Sequence, residues 1–322
     1  MRSHQQKTVD YSYIFGTQNL PKANRAVCNG SWDIRDSVEI SNKPKMSTTK
    51  KVLIGAGIVS TVALAGIMAI GPRKVDFIGK AQKTFQNTFM RDNLTREETI
   101  NLLKEYKELY KINDKDNFIN VLIENAKKNF GLSHLNFNIE KVDLPKGKVA
   151  CMTPDGTFTV NKNLDLDKDK LLNVVFHEFR HAKQNELMCS KDPERFAVGI
   201  YNRSKEFVKK KDAAWCENLR NIIRNNPEGK NLSEKEVEEL IDTNLQKRWI
   251  KAIRKNTIEK LGLGKSEVPE SLNEYIEKCF KAHSNYNDAN VFAYYNNFLE
   301  KDARKSGKGM QRIIMSIPDK LG

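Results

Sequence analysis

Cysteine is scarce. The 322 residues contain five (Cys28, Cys151, Cys189, Cys216 and Cys279), and no two of them form a Cys-x-x-Cys pair. This excludes a disulfide-built scaffold and a zinc finger, and leaves ordinary thiols or one or two incidental bridges. Histidine is equally scarce at five. No Gly-rich phosphate loop, aromatic-rich RNA-binding signature or Cys/His finger occurs, so nucleic-acid binding has only charge to support it and is not expected. Acidic residues are in deficit, 41 against 55 Lys and Arg, which gives a formal net charge of +14 and a pI near 9.4. A basic surface follows, although a chain crowded with Lys, Asn and Ile also reflects AT-rich coding. Hydrophobic residues make up 39% of the 322 in this 37.0 kDa chain, enough for one large or two small domains with a true core.

Residues 1–51 are polar, with no sustained apolar period, and read as a disordered tail. Val52–Gly71 follows as twenty residues without a charge, between Lys50-Lys51 and Pro72-Arg73-Lys74. That length just spans a bilayer core as a helix, so it is expected to be a retained transmembrane helix or signal-anchor. A second reading starts at Met46 and takes the same stretch as a signal peptide cleaved after Ala65, which would make the protein secreted. Basic residues flank both ends and the positive-inside rule guides only weakly, toward an extracytoplasmic C-terminal domain.

Beyond Pro72 the chain becomes regular. Thr95-x-x-Glu98 is a capping box expected to launch a helix to about Lys111, with Ile100, Leu103 and Tyr106 on one face. A second helix is expected over about Asp116–Phe130, stopping at Gly131. Leu135–Ile139 alternates at period two, as a strand does, and Lys148–Val160 reads as a hairpin turning at Pro154-Asp155-Gly156. After Lys168 everything reads helical, including a helix opened by the capping box Ser233-x-x-Glu236 and closed near Gly262. The expected class is α+β, with residues 72–322 forming one domain: a small, mostly antiparallel sheet packed on a central helix, and a large helical remainder.

Residues 177–181 read His-Glu-Phe-Arg-His, behind the apolar run Leu171–Phe176 and a helix start signalled by Asp165, Asp167 and Asp169. His177 and His181 are i and i+4, so both imidazoles leave one helical face and can ligate one ion. Glu178 stands beside the first of them, where it can take a proton from a polarised water and pass it to a leaving amine. A shuffled chain of this composition would contain H-E-x-x-H only about 0.005 times. A catalytic zinc needs a third protein ligand and an open position for water. The same helix offers only Gln184, Asn185 and Met188 on the metal-facing side, and Leu187 stands where the metzincin pattern requires a third histidine. That subclass is excluded.

With these residues in place the chain resembles the gluzincin-type zinc metallopeptidases, members of the zincin-like fold. The resemblance covers Lys148–Val160, the helix bearing HEFRH, and Tyr294–Arg304. It implies one Zn²⁺ per chain, with a glutamate on a downstream helix as third ligand. Glu300 fills that role here, followed by the small Ala303 that close helix packing would need; Asp302, Glu217 and His283 are the reserves. The chain departs from the pattern in the charge of Arg180 and in a long helical insertion over about residues 190–290. Arg180 either holds a substrate carboxylate or is solvent-exposed or in a local ion pair. Tyr294 and Tyr295 either stabilise an oxyanion or pack in the core, and His4 and His134 receive no role.

A competing reading is an anionic partner. Lys247, Arg248, Lys251, Arg254 and Lys255 line a helix whose other side carries Leu245, Trp249, Ile250 and Ile253, with Lys209–Lys211 upstream. It would make the chain a membrane-tethered basic helical protein, with HEFRH a structural or degenerate metal site. Charges around HEFRH place its helix in an aqueous domain and exclude an intramembrane protease. The expectation carried forward is a membrane-associated zinc metallopeptidase acting on a peptide or protein, with His177, His181 and Glu300 on the metal and Glu178 as general base.

Overall fold

The computed structural model describes residues 76–143, 150–152, 157–161, 167–286 and 291–318. The tail at 1–51, the apolar segment at 52–71, Met46 and the cleavage site at Ala65 lie outside these residues. No helix among the described residues is long and apolar enough to cross a membrane.

Three helices open the fold: α1 (Phe77–Phe89), α2 (Arg96–Tyr110) and α3 (Lys115–Asn129). The expected capping box starts α2, with Thr95 Oγ1 accepting from the Glu98 N–H and the Glu98 carboxylate accepting from the Thr95 N–H. Its buried face is Thr99, Leu102, Leu103, Tyr106 and Leu109, and Ile100 is half-buried at its margin. At the end of α3 Gly131 takes φ +67°, the left-handed turn that stops the helix where the sequence indicates.

The sheet holds β1 (Asn138–Val142), β2 (Ala150–Met152) and β3 (Thr157–Asn161) in the order β1-β3-β2. β2 and β3 pair antiparallel, Ala150 opposite Val160 and Met152 opposite Phe158, as the expected hairpin requires. β1 pairs parallel to β3 along its whole length, so the sheet is mixed and not mostly antiparallel. The reason lies in burial. Phe158, Thr159, Val160 and Asn161 are all buried, covered on both faces, and such a strand takes the centre, while β1 leaves Ile139 and Glu140 to solvent. β1 also begins later than the alternation at Leu135 suggests. The Leu135 and Asn136 N–H groups donate to the carbonyls of Leu132 and Leu261, so this backbone is committed outside the sheet.

The centre of the molecule is α4 (Lys168–Lys191), which carries HEFRH. Asp167 caps it by accepting from the Lys170 N–H, and Asp169 lies in its first turn. It is buried nearly all round, as suits a helix wrapped by others. On one side Phe176 and Phe179 enter an aromatic cluster with Phe89, Tyr106, Phe130, Phe137 and Phe158, at ring separations of 5.6 to 6.3 Å.

Then come α5 (Pro193–Lys211), α6 (Ala213–Asn225), α7 (Glu234–Ile253) and α8 (Asn273–Ser284), which form the helical insertion. The Ser233/Glu236 capping box opens α7, a π-helical segment Arg254–Glu259 continues it, and Gly262 at φ +78° closes it. Leu219, Ile223, Val237 and Ile241 form a satellite core between α6 and α7. Finally α9 (Val291–Asn296) and α10 (Phe298–Met315) bring the chain back, and α10 lies along α4. Ala303 is fully buried there, and a Cβ added to Gly307 would sit 2.4 Å from the Asn173 carbonyl oxygen, so only glycine permits this approach.

Candidate metal centre

The approach of α10 to α4 brings Glu300 to His177 and His181. His177 Nε2 lies 3.2 Å from His181 Nε2 and 3.6 Å from Glu300 Oε2, and His181 Nε2 lies 3.3 Å from Glu300 Oε1. A tetrahedral ion with bonds of 2.0–2.1 Å to N and O ligands separates those ligands by roughly 3.3–3.4 Å. The separations of 3.2–3.6 Å, two of them to different oxygens of Glu300, are of the size that such an ion spans, and the donor set of two imidazoles and one carboxylate suits zinc. Burial pushes the His177 imidazole down to about 3, the neighbouring His181 adding to the effect and Glu300 opposing it. His177 is thus neutral at physiological pH, the form that ligates.

Two of the three, His181 and Glu300, are held from outside. His181 Nδ1 is 2.9 Å from Gln184 Oε1. The Tyr286 hydroxyl donates to Glu300 Oε1 at 3.0 Å, and Arg304 Nη1 is 3.5 Å from Glu300 Oε2. Glu178, His177 and Glu300 are at most 1% exposed and His181 6%, so the group is enclosed by protein.

Arg180 does not face a cleft. Its Nε donates to Asp302 Oδ2 at 2.6 Å and its Nη2 to Asp302 Oδ1 at 3.1 Å, while Nη1 donates to the carbonyls of Asn87 and Thr88 at the end of α1. It makes the local ion pair, in bidentate form, and also caps a helix. Burial alone would raise the Asp302 carboxyl, but the Arg180 charge and the hydrogen bonds from Arg180, Tyr275 and Gln184 outweigh it and hold the group below the usual range. The other reserve ligands lie elsewhere. His283 is buried against Phe196, with Nε2 accepting from Arg203 Nη2 at 2.7 Å; burial and the Arg203 charge keep it neutral. Glu217 is exposed and pairs with Arg220.

Tyr294 is buried, as core packing requires, whereas Tyr295 is exposed and does not pack in the core. Tyr294 stands edge-on to Tyr286 at 6.0 Å, and Tyr295 lies under the Arg304 guanidinium at 4.0 Å. The tyrosine on Glu300 is Tyr286, which sequence reasoning missed because nothing in its local pattern separates it from other loop tyrosines. Gln184 and Asp302 were seen only as a non-ligand and a reserve ligand. His134, given no role, pairs through Nε2 with Glu186 at 3.0 Å. The basic stripe on α7 is partly neutralised: Arg254 pairs with Glu194 at 3.2 Å, and Arg248 lies 3.5 Å from Asp212 and over Trp215. Lys247, Lys251 and Lys255 remain exposed. No protein-family model, curated protein or solved structure matches this chain.

Proposed function

We propose that this chain is a zinc-dependent metallopeptidase of the gluzincin-like type, resting above all on the convergence of Glu300 with His177 and His181 within the span of one ion. A structural zinc site takes four protein ligands, whereas three with one position left for water is the catalytic arrangement. His177, His181 and Glu300 would hold the ion, which when bound supplies Lewis acidity and brings the pKa of a coordinated water toward about 7. Glu178, next to His177 on α4 and in a dry setting, accepts the proton of the attacking water and delivers it to the departing amine. Tyr286 and Arg304 steady the Glu300 carboxylate, and Gln184 steadies His181.

Glu178→Gln is the direct test. It keeps size and polarity and is expected to retain zinc while losing peptide hydrolysis by about 10²–10⁴-fold. Full hydrolysis by that variant on a peptide the parent cleaves would remove Glu178 from the mechanism. The enclosure of all four groups favours one second reading, a structural or degenerate metal site. It predicts stoichiometric zinc with no turnover of a peptide library by the parent. Val52–Gly71 supports attachment of this domain to a membrane. The full chain should stay in the pellet on alkaline-carbonate extraction, and its release would refute the anchor.

A further inference from the structure

Gln184 lies on α4 one turn beyond His181 and is buried. Three acceptors surround its amide nitrogen: Asp302 Oδ2 at 2.9 Å, and the Leu299 carbonyl and Tyr275 hydroxyl at 3.3 Å each. The Tyr275 hydroxyl gives its own proton to Asp302 Oδ2 at 2.6 Å, so toward Gln184 it can only accept. Turning the amide over would forfeit these bonds and press its carbonyl oxygen against a carboxylate. The orientation is therefore fixed by its surroundings. Gln184 Oε1 faces His181 Nδ1 at 2.9 Å and can only accept, which places the imidazole proton on Nδ1. The bare nitrogen is then Nε2, the atom that faces His177 and Glu300. Among the described residues His177 Nδ1 is buried without a hydrogen-bond partner, so His181 is the histidine whose tautomer the protein sets in this way.

We propose that Gln184 is a positioning residue of the metal centre: an amide bridge that holds His181 in its Nδ1–H tautomer and ties this ligand to the buried Arg180–Asp302 ion pair. The inference rests on the reading of His177, His181 and Glu300 as a metal site. It gives Arg180 a purpose inside HEFRH, since Arg180 fixes the carboxylate that fixes the amide that fixes the ligand. A carboxylate directly on Nδ1–H would raise the basicity of the ligand. A neutral amide orients the ring and leaves the negative charge one residue away, already matched by a guanidinium.

The test measures two quantities on the full-length chain. The first is Zn²⁺ affinity, by competition with a chromophoric chelator. The second is the His181 tautomer in the metal-free protein, from ¹⁵N-histidine shifts assigned by comparison with His181→Asn. The parent should show Nδ1–H. Gln184→Met, similar in size but without an acceptor, should lose that preference and bind Zn²⁺ about 10–100-fold more weakly. Gln184→Glu puts an oxygen where the amide nitrogen meets Asp302 Oδ2; as the neutral acid it donates there and still accepts from Nδ1–H, so it should keep the tautomer and bind more tightly than Gln184→Met. A residue that only glued α4 to α8 and α10 would lower the melting temperature in both variants and leave the tautomer unchanged. An Nε2–H tautomer in the parent, or parent-like zinc affinity in Gln184→Met, overturns the bridge and leaves the metal site standing. A parent that binds no zinc overturns the metal site, and the metal-free tautomer still decides the bridge. If Gln184→Met does not fold, the parent tautomer and Gln184→Glu decide it.

Discussion

Glu186 shares α4 with the candidate ligands, and its buried carboxylate is turned to a different task. It accepts from the backbone N–H groups of Gly264, Lys265 and Ser266 at 2.7, 3.1 and 2.8 Å and meets His134 at 3.0 Å, so it pins the segment after the π-helical turn to the central helix. Burial pushes this carboxyl up, but the hydrogen bonds from Ser266 and Gly264, with His134 adding, outweigh it and hold the group below its ordinary 4.5. A depressed carboxyl adds stability that is present above the ordinary value and disappears as pH falls through the folded one. The buried neutral His177 and His283 begin to cost stability as pH falls below their ordinary 6.5, and the Glu186 contribution adds to that decline below about pH 5, so Glu186→Gln should melt lower at neutral pH with a shallower slope below about pH 5. An acid profile unchanged by the substitution would show that this carboxylate is not a source of the pH dependence. No local pattern marks Glu186 in the sequence, because its partners are loop amides far along the chain. His177, Glu178 and His181 were legible for the opposite reason: their geometry is set within one and a quarter helical turns. Gln184, Asp302 and Tyr286 act through partners on other helices, and no local period marks such pairs.

At the scale of elements, α10 against α4 is the contact on which the centre depends. Glu300 reaches the histidines only because Ala303 and Gly307 let the two helices close together. Gly307→Ala would place a methyl group 2.4 Å from the Asn173 carbonyl oxygen, so α10 must move outward. Overpacking of this kind costs about 1–3 kcal/mol. The expected outcome is a lower melting temperature together with weakened zinc binding, although Gly307 lies two turns beyond Glu300; zinc affinity equal to the parent's would separate the helix contact from the site. The small residue after Glu300 was visible in the sequence, and so were both capping boxes and the Gly131 and Gly262 stops, because each is a local device. The order of the strands was not. A hairpin fixes the direction of its own two strands, but which strand a third will join is decided by burial of β3 on both faces, a property of the assembled core. The start of β1 was misplaced for a related reason, since Asn136 donates to Leu261, a residue of the distant helical insertion.

For the molecule as a whole, one central helix serves as both core and site. The face of α4 that carries Phe176 and Phe179 belongs to the aromatic core with α1, α2, α3 and the sheet, and the face that carries His177 and His181 meets α10. The Arg180–Asp302 pair lies between them and joins α1, α4 and α10 at one point. The position of the candidate metal centre is thereby coupled to the packing of the whole domain. The measurement that bears most directly on this account is the zinc content of the purified full-length chain, by plasma mass spectrometry, beside His181→Ala and Glu300→Ala. The account predicts about one zinc per chain in the parent and loss from both variants. Zinc retained by Glu300→Ala would move the third ligand elsewhere, and a parent without zinc after reconstitution would contradict the metal centre itself.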